Sequence, residues 1–169
     1  MVSGPALVLV GAPAAGKTTV GRELAARSGQ AFTDTDEVLA QRLGLSLPEA
    51  WASLPPERIA AEEADACLAA LAPEGIVALG SAAVADAAVR AALAGRTVVW
   101  LRVSAAQASR RLGMAALGMD ALVAMRTRLD GLLQERERWY EEVATHRLDT
   151  DRLGVNDVVD GVERVWTGG

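Results

Sequence analysis

Apolar runs alternate with stretches of helical spacing along this chain. Ala6 to Val10 (ALVLV) is continuously apolar, as a strand buried on both faces requires. A loop rich in glycine and alanine follows, Gly11 to Gly16. Thr18 to Arg27 then places Val20, Leu24 and Ala25 on one helical face. Gln30 to Thr33 predicts a short second strand, running into Asp34-Thr35-Asp36, and Glu37 to Leu43 a short helix. Ser46-Leu47-Pro48-Glu49 is a capping-box pattern and opens a helix through Trp51. Pro55-Pro56 breaks the chain before a longer helix over Glu57 to Leu71, which Pro73 and Gly75 stop. Ile76 to Leu79 and Thr97 to Val103 predict the third and fourth strands, with a helix over Val84 to Leu93 between them. Ser104 caps a helix through Leu112. Gly113 to Gly118 is a flexible-looking segment before a long helix, Asp120 to Ala144. His146 to Asp149 predicts a fifth strand and Val155 to Val165 the last helix.

Strands joined by helical crossovers require a parallel sheet with helices on both faces. The expected fold is α/β, a three-layer arrangement around a five-stranded parallel sheet. The length of 169 residues suits one domain, and neither a repeat nor an interdomain linker interrupts it. No apolar stretch reaches the 18 residues of a membrane span, and the first residues lack the basic start of a signal peptide. A cytoplasmic monomer is expected. The net charge of −5 argues against nonspecific nucleic-acid binding. The single cysteine, Cys67, excludes an internal disulfide and reads as a small buried hydrophobe. The four tryptophans, Trp51, Trp100, Trp139 and Trp166, read as core or boundary packing.

One bias in composition bears on chemistry. Of the 17 basic residues 16 are arginine, and the one lysine is Lys17. That position favours a compact ammonium on a flexible stem over a planar fork. It lies in Gly11-Ala12-Pro13-Ala14-Ala15-Gly16-Lys17-Thr18, which matches the phosphate-loop pattern G-x-x-x-x-G-K-[ST]. A strand precedes the loop and a helix follows it. Such a loop turns backbone N–H groups and a helix N-terminus toward an anion. Gly11, Ala14, Ala15, Gly16, Lys17, Thr18 and Thr19 are therefore the candidate nucleotide-binding residues, with ATP and Mg²⁺ as cofactors. Lys17 reaches the β- and γ-phosphates, and the Thr18 hydroxyl ligates Mg²⁺.

Asp34 and Asp36 stand at the end of the second strand, where open parallel sheets bind ligands. Asp34 suits a role at Mg²⁺ through water, and Asp36 the role of base toward a substrate hydroxyl. An equal reading has Asp36 capping the helix from Glu37, with Asp34 a turn residue.

These residues resemble the shikimate kinase family. The matching pieces are the phosphate loop, Asp34-Thr35-Asp36, Ser46 to Trp51, Leu79-Gly80, Ala91 to Gly95, Arg110-Arg111, Arg136 and Leu148-Asp149-Thr150, in one collinear order over residues 6 to 165. The resemblance implies strand order 2-3-1-4-5, a substrate-binding helical region about residues 36 to 62 and a lid about 112 to 121. It implies transfer of the γ-phosphoryl of ATP to the 3-hydroxyl of shikimate, a small anionic hydroxy acid. It implies that Lys17 and Asp36 are catalytic and that Thr18 and Asp34 hold the metal. Arg136 pairs with the substrate carboxylate, Gly80 and Ser81 line the acceptor, and Arg111 with Arg152 lies near the adenine.

The chain departs from the family at three places. Three successive glycines of the family read Gly80-Ser81-Ala82 here. A Phe-Arg pair, whose arginine grips the substrate carboxylate, reads Ile59-Ala60. Arg58 replaces that arginine only if the helix shifts. The lid arginine is missing, since residues 113 to 120 hold no basic residue. Two further readings therefore stand beside shikimate phosphorylation: a kinase for another small alcohol or acid, and a nucleotide-binding pseudokinase.

Overall fold

Alternation along the first strand explains why both of its faces are apolar. In the computed structural model, which describes residues 7–168, β1 (Leu7–Val10) lies at the centre of the sheet. Leu7 and Leu9 point into one apolar layer, and Val8 and Val10 into the other. All four are buried, and each such side chain contributes about 1.5–3 kcal/mol. Ala6, expected to begin this strand, lies outside the described residues.

The sheet has five parallel strands in the order β2-β3-β1-β4-β5. The others are β2 (Phe32–Asp34), β3 (Ile76–Ala78), β4 (Val98–Arg102) and β5 (His146–Asp149). The order and the three layers agree with expectation. On one face lie α1 (Lys17–Ser28) and α8 (Val155–Thr167), over a core that includes Leu24, Val99, Leu101, Val159 and Val162. On the other lie α4 (Pro56–Ala70), α5 (Ala87–Ala92) and the second half of α7 (Met119–Val143), over Cys67, Val77, Val89, Trp100 and Tyr140. A satellite cluster of Leu39, Ala50 and Ile59 joins α2 (Thr35–Leu43), α3 (Leu47–Ser53) and α4. The capping box at α3 forms as read, with Ser46 and Glu49 bonding reciprocally.

Three expectations shift. The helix over Val84 to Leu93 is broken: Ala83–Ala85 is a 3₁₀ turn, and Asp86 starts α5 by accepting from the N–H groups of Ala88 and Val89 at 2.8 and 3.0 Å. A short carboxylate offers the backbone a cap that competes with continuing the helix. α2 begins at Thr35, not Glu37, because Asp34 is its N-cap. The segment before α7 holds a 3₁₀ turn, Met114–Ala116, after α6 (Ala105–Arg111).

Candidate functional site

The phosphate loop joins β1 to α1 at the C-terminal edge of the sheet. Gly16 stands at the N-cap of α1 with φ 95°, a left-handed conformation that suits glycine, and no side chain caps the helix. The first N–H groups of α1 thus have no partner within the helix and face the loop. Ala14 also takes a left-handed φ of 62°, an unusual conformation for a residue with a Cβ. The ammonium of Lys17 folds back to donate to the carbonyls of Gly11 and Ala12 at 2.8 and 2.9 Å. Burial lowers its pKa to about 8, against the pull of Asp36 and Asp34. The group still carries its charge at neutral pH.

Thr18 donates its hydroxyl to Asp34 Oδ2, while Asp34 Oδ1 accepts from the N–H of Asp36 at 2.9 Å. This reverses one alternative read in the sequence. Asp34 is the cap, and Asp36, in the first turn, keeps its carboxylate for the cleft. Burial and the neighbouring Asp34 raise the pKa of Asp36, and Lys17 opposes them. A cleft beside the loop is lined by Lys17, Thr18, Asp34, Asp36, Trp51 and Ser81.

Gly80 is buried behind Asp36. A Cβ there would sit 2.5 Å from Asp36 Oδ1 and 2.7 Å from Glu63 Oε1, so only glycine leaves room for both carboxylates. Its N–H donates to Thr35 Oγ1 at 2.8 Å, tying the ends of β2 and β3 together. Arg136 comes in from α7 and donates to Ser81 Oγ at 3.2 Å, and Tyr140, one turn on, donates to the Ser81 carbonyl at 2.7 Å. The guanidinium acts electrostatically on Lys17, Glu63 and Tyr140, so it belongs to the same cluster.

Arg111 spans a second cavity, of about 490 Å³, lined by Ala14, Ala15, Gly16, Thr19, Leu153 and Val155 among others. It donates to the Ala14 carbonyl at 3.0 Å and the Thr150 carbonyl at 2.9 Å. The cavity continues from the phosphate loop to the start of α8.

Of the expected residues, Gly11, Gly80 and Arg136 do not line either cavity but lie against Lys17, Asp36 and Ser81, which do; Arg58 and Arg152 join neither. Arg152 is exposed after β5 and is not among the lining residues. Arg58 is exposed on the first turn of α4. The cause is register: Ile59 is buried against Leu39 and Ala50, which turns the preceding side chain away. Trp51 corrects a third reading. Its side chain is not packed in a core; it is 64 % exposed and lines the cleft. Trp100 is buried, and Trp139 and Trp166 are half-buried, as expected of packing residues.

Glu63 went unread in the sequence. It follows Ile59 by four residues, so once Ile59 is known to face inward, Glu63 must share that face. Burial first, then the charge of Asp36, pushes its carboxyl up to about 7, with Arg136 opposing. The sign of the consequence follows from linkage. The unfolded group ionises near 4.5 and the folded one near 7, so stability falls as pH rises between these values. We expect Glu63→Gln to raise the melting temperature of the ligand-free protein at pH 8. The gain amounts to up to about 3 kcal/mol and vanishes below pH 4.5. Thermal unfolding at pH 4, 6 and 8 measures it, and an equal gain at all three would refute the assignment.

A sequence model of the family described as shikimate kinase matches residues 13–165. The chain belongs to the shikimate kinase family. A shikimate kinase of Frankia casuarinae is 43 % identical over 155 residues, covering 91 % of this chain and 69 % of the relative. One of Mycobacterium tuberculosis is 41 % identical over 159 residues, covering 92 % and 89 %. The solved shikimate kinase of Acinetobacter baumannii in complex with shikimate superposes with a TM-score of 0.84, covering 99 % of this chain and 94 % of that one. At 23 % identity it supports the fold alone. Membership in this family makes the chain a small-molecule kinase of the nucleotide-binding phosphotransferase class.

Proposed function

We propose that this chain transfers the γ-phosphoryl of ATP to a ring hydroxyl of shikimate. The observation that carries the reading is that Lys17 and Asp36 line one cleft beside the phosphate loop, with Arg136 bonded to Ser81, which lines the same cleft. Asp36 accepts the proton as the acceptor oxygen bonds to the γ-phosphorus, and the bond from that phosphorus to the bridging oxygen breaks. Lys17 neutralises the charge that spreads over the phosphoryl oxygens and the leaving ADP. Arg136 pairs with the acceptor carboxylate and sets which hydroxyl meets Asp36.

Thr18 and Asp34 suit Mg²⁺, since a hydroxyl and a carboxylate already share a hydrogen bond at the mouth of the loop. Among the described residues no three His, Cys, Asp or Glu side chains form a metal cage. The donor set is that of an ion which takes its remaining ligands from phosphates and water. Held there by Thr18 and Asp34, Mg²⁺ would supply positive charge against the charge of the nucleotide phosphates. Among the described residues, no helix is long and apolar enough to cross a membrane.

A coupled assay with ATP and shikimate tests the proposal. The expected result is saturable turnover on the order of 1–100 s⁻¹, as kinases show. Binding of ATP without turnover at millimolar shikimate would overturn it. A second reading rests on one observation. Ala60 and Ala82, at positions where the chain departs from the family, line a cavity of about 300 Å³ beside Glu63, which favours a kinase for another small alcohol or acid.

A further inference from the structure

We infer that Ser81 is a positioning residue that holds Arg136, rather than a residue that touches the acceptor. The inference rests on the reading of Arg136 as the group that meets the acceptor carboxylate. Arginine is long and flexible, and a guanidinium left free would have to be ordered each time an acceptor binds. Ser81 supplies a fixed point for it. Arg136 and Tyr140 are four residues apart on α7 and so emerge from one face. Both grip the same residue: Arg136 donates to the Ser81 hydroxyl at 3.2 Å, and Tyr140 donates to the Ser81 carbonyl at 2.7 Å.

The second contact makes the first one rigid. Tyr140 is 2 % exposed and stacks on Trp100, with ring centroids 5.7 Å apart and planes inclined by 28°. Trp100 is itself buried in β4. The backbone of Ser81 is therefore tied to the centre of the sheet, and its hydroxyl presents an acceptor in a set place. Its neighbour Gly80 is fixed in turn by Thr35, at 2.8 Å. Glu63 on α4 feels the charge of Arg136, and among the described residues the two make no hydrogen bond. The clamp holds the second half of α7 to the sheet edge and preorganises the guanidinium beside Lys17 and Asp36.

Two readouts test this. In steady-state kinetics, Ser81→Ala should raise KM for shikimate about tenfold, leave kcat within about twofold, and leave KM for ATP unchanged. Ser81→Thr, which keeps the hydroxyl, should restore KM. In NMR of ¹⁵N-arginine-labelled protein, with the signal assigned through Arg136→Lys, guanidinium rotation of Arg136 should be slow in the wild type and fast in Ser81→Ala. An unchanged KM for shikimate overturns the inference. So does a raised KM with unaltered Arg136 rotation, which would place Ser81 directly on the acceptor. The NMR arm needs no turnover. A clamp that passes it in a protein inactive on shikimate would sink the acceptor reading and leave the clamp standing.

Discussion

Lys17→Met leaves the fold intact and reduces phosphoryl transfer by about 10³-fold or more, with ATP binding lost in calorimetry. The argument is electrostatic. Lys17 is the only lysine in the chain, and its ammonium sits desolvated among the loop carbonyls of Gly11 and Ala12. Its burial costs stability, because the charge lies where its pKa falls to about 8. Removal should therefore leave melting temperature unchanged or raise it at neutral pH, while activity collapses. Such a group is retained for a polyanion that repays its desolvation on binding. Lys17→Arg should fail almost as badly, since a planar fork does not fit a loop built around a compact ammonium. A Lys17→Met protein that binds ATP within threefold of the wild type would sink the assignment.

Asp36→Asn separates the two halves of the site. ATP affinity should stay within about threefold, while kcat falls about 10²- to 10⁴-fold. Asp34 makes the contacts to Thr18 and to the start of α2, so the metal side and the helix cap survive the change. What is lost is the half-buried carboxylate that faces the cleft and whose pKa burial raises above the ordinary aspartate value. That environment makes it a better proton acceptor than an exposed aspartate. Rapid-quench measurement of the chemical step tests this directly. Loss of ATP affinity to the same extent as kcat would instead move Asp36 to the nucleotide side.

The fold was readable because its signals are local. β1, β3 and β4 are short apolar runs, and several helix starts carry their own chemistry: Ser46 with Glu49, Ser104, and the glycine-rich turn before Lys17. The phosphate loop was readable for the same reason, since its function lies in consecutive backbone groups. The acceptor side was harder to read. Arg58 could serve the site only through a shift of its helix, and the burial of Ile59 points it to solvent. Trp51 looked like packing and is an exposed wall of the cleft. Arg152 was expected at the base and lies outside the cavity that Arg111 spans. Each depends on the rotation of a helix or loop against a neighbour, which composition and spacing do not encode.

By itself the sequence determined the parallel sheet, its helical crossovers and the anion cradle at residues 11 to 18, because hydrophobic period and turn chemistry act over a few residues. Only the tertiary structure decided which carboxylates converge. Asp36 and Glu63, 27 positions apart on two helices, meet at Gly80, and Arg136 acts on Glu63 from a third. Convergence of that kind is set by how helices pack across the sheet edge, a property of no single segment.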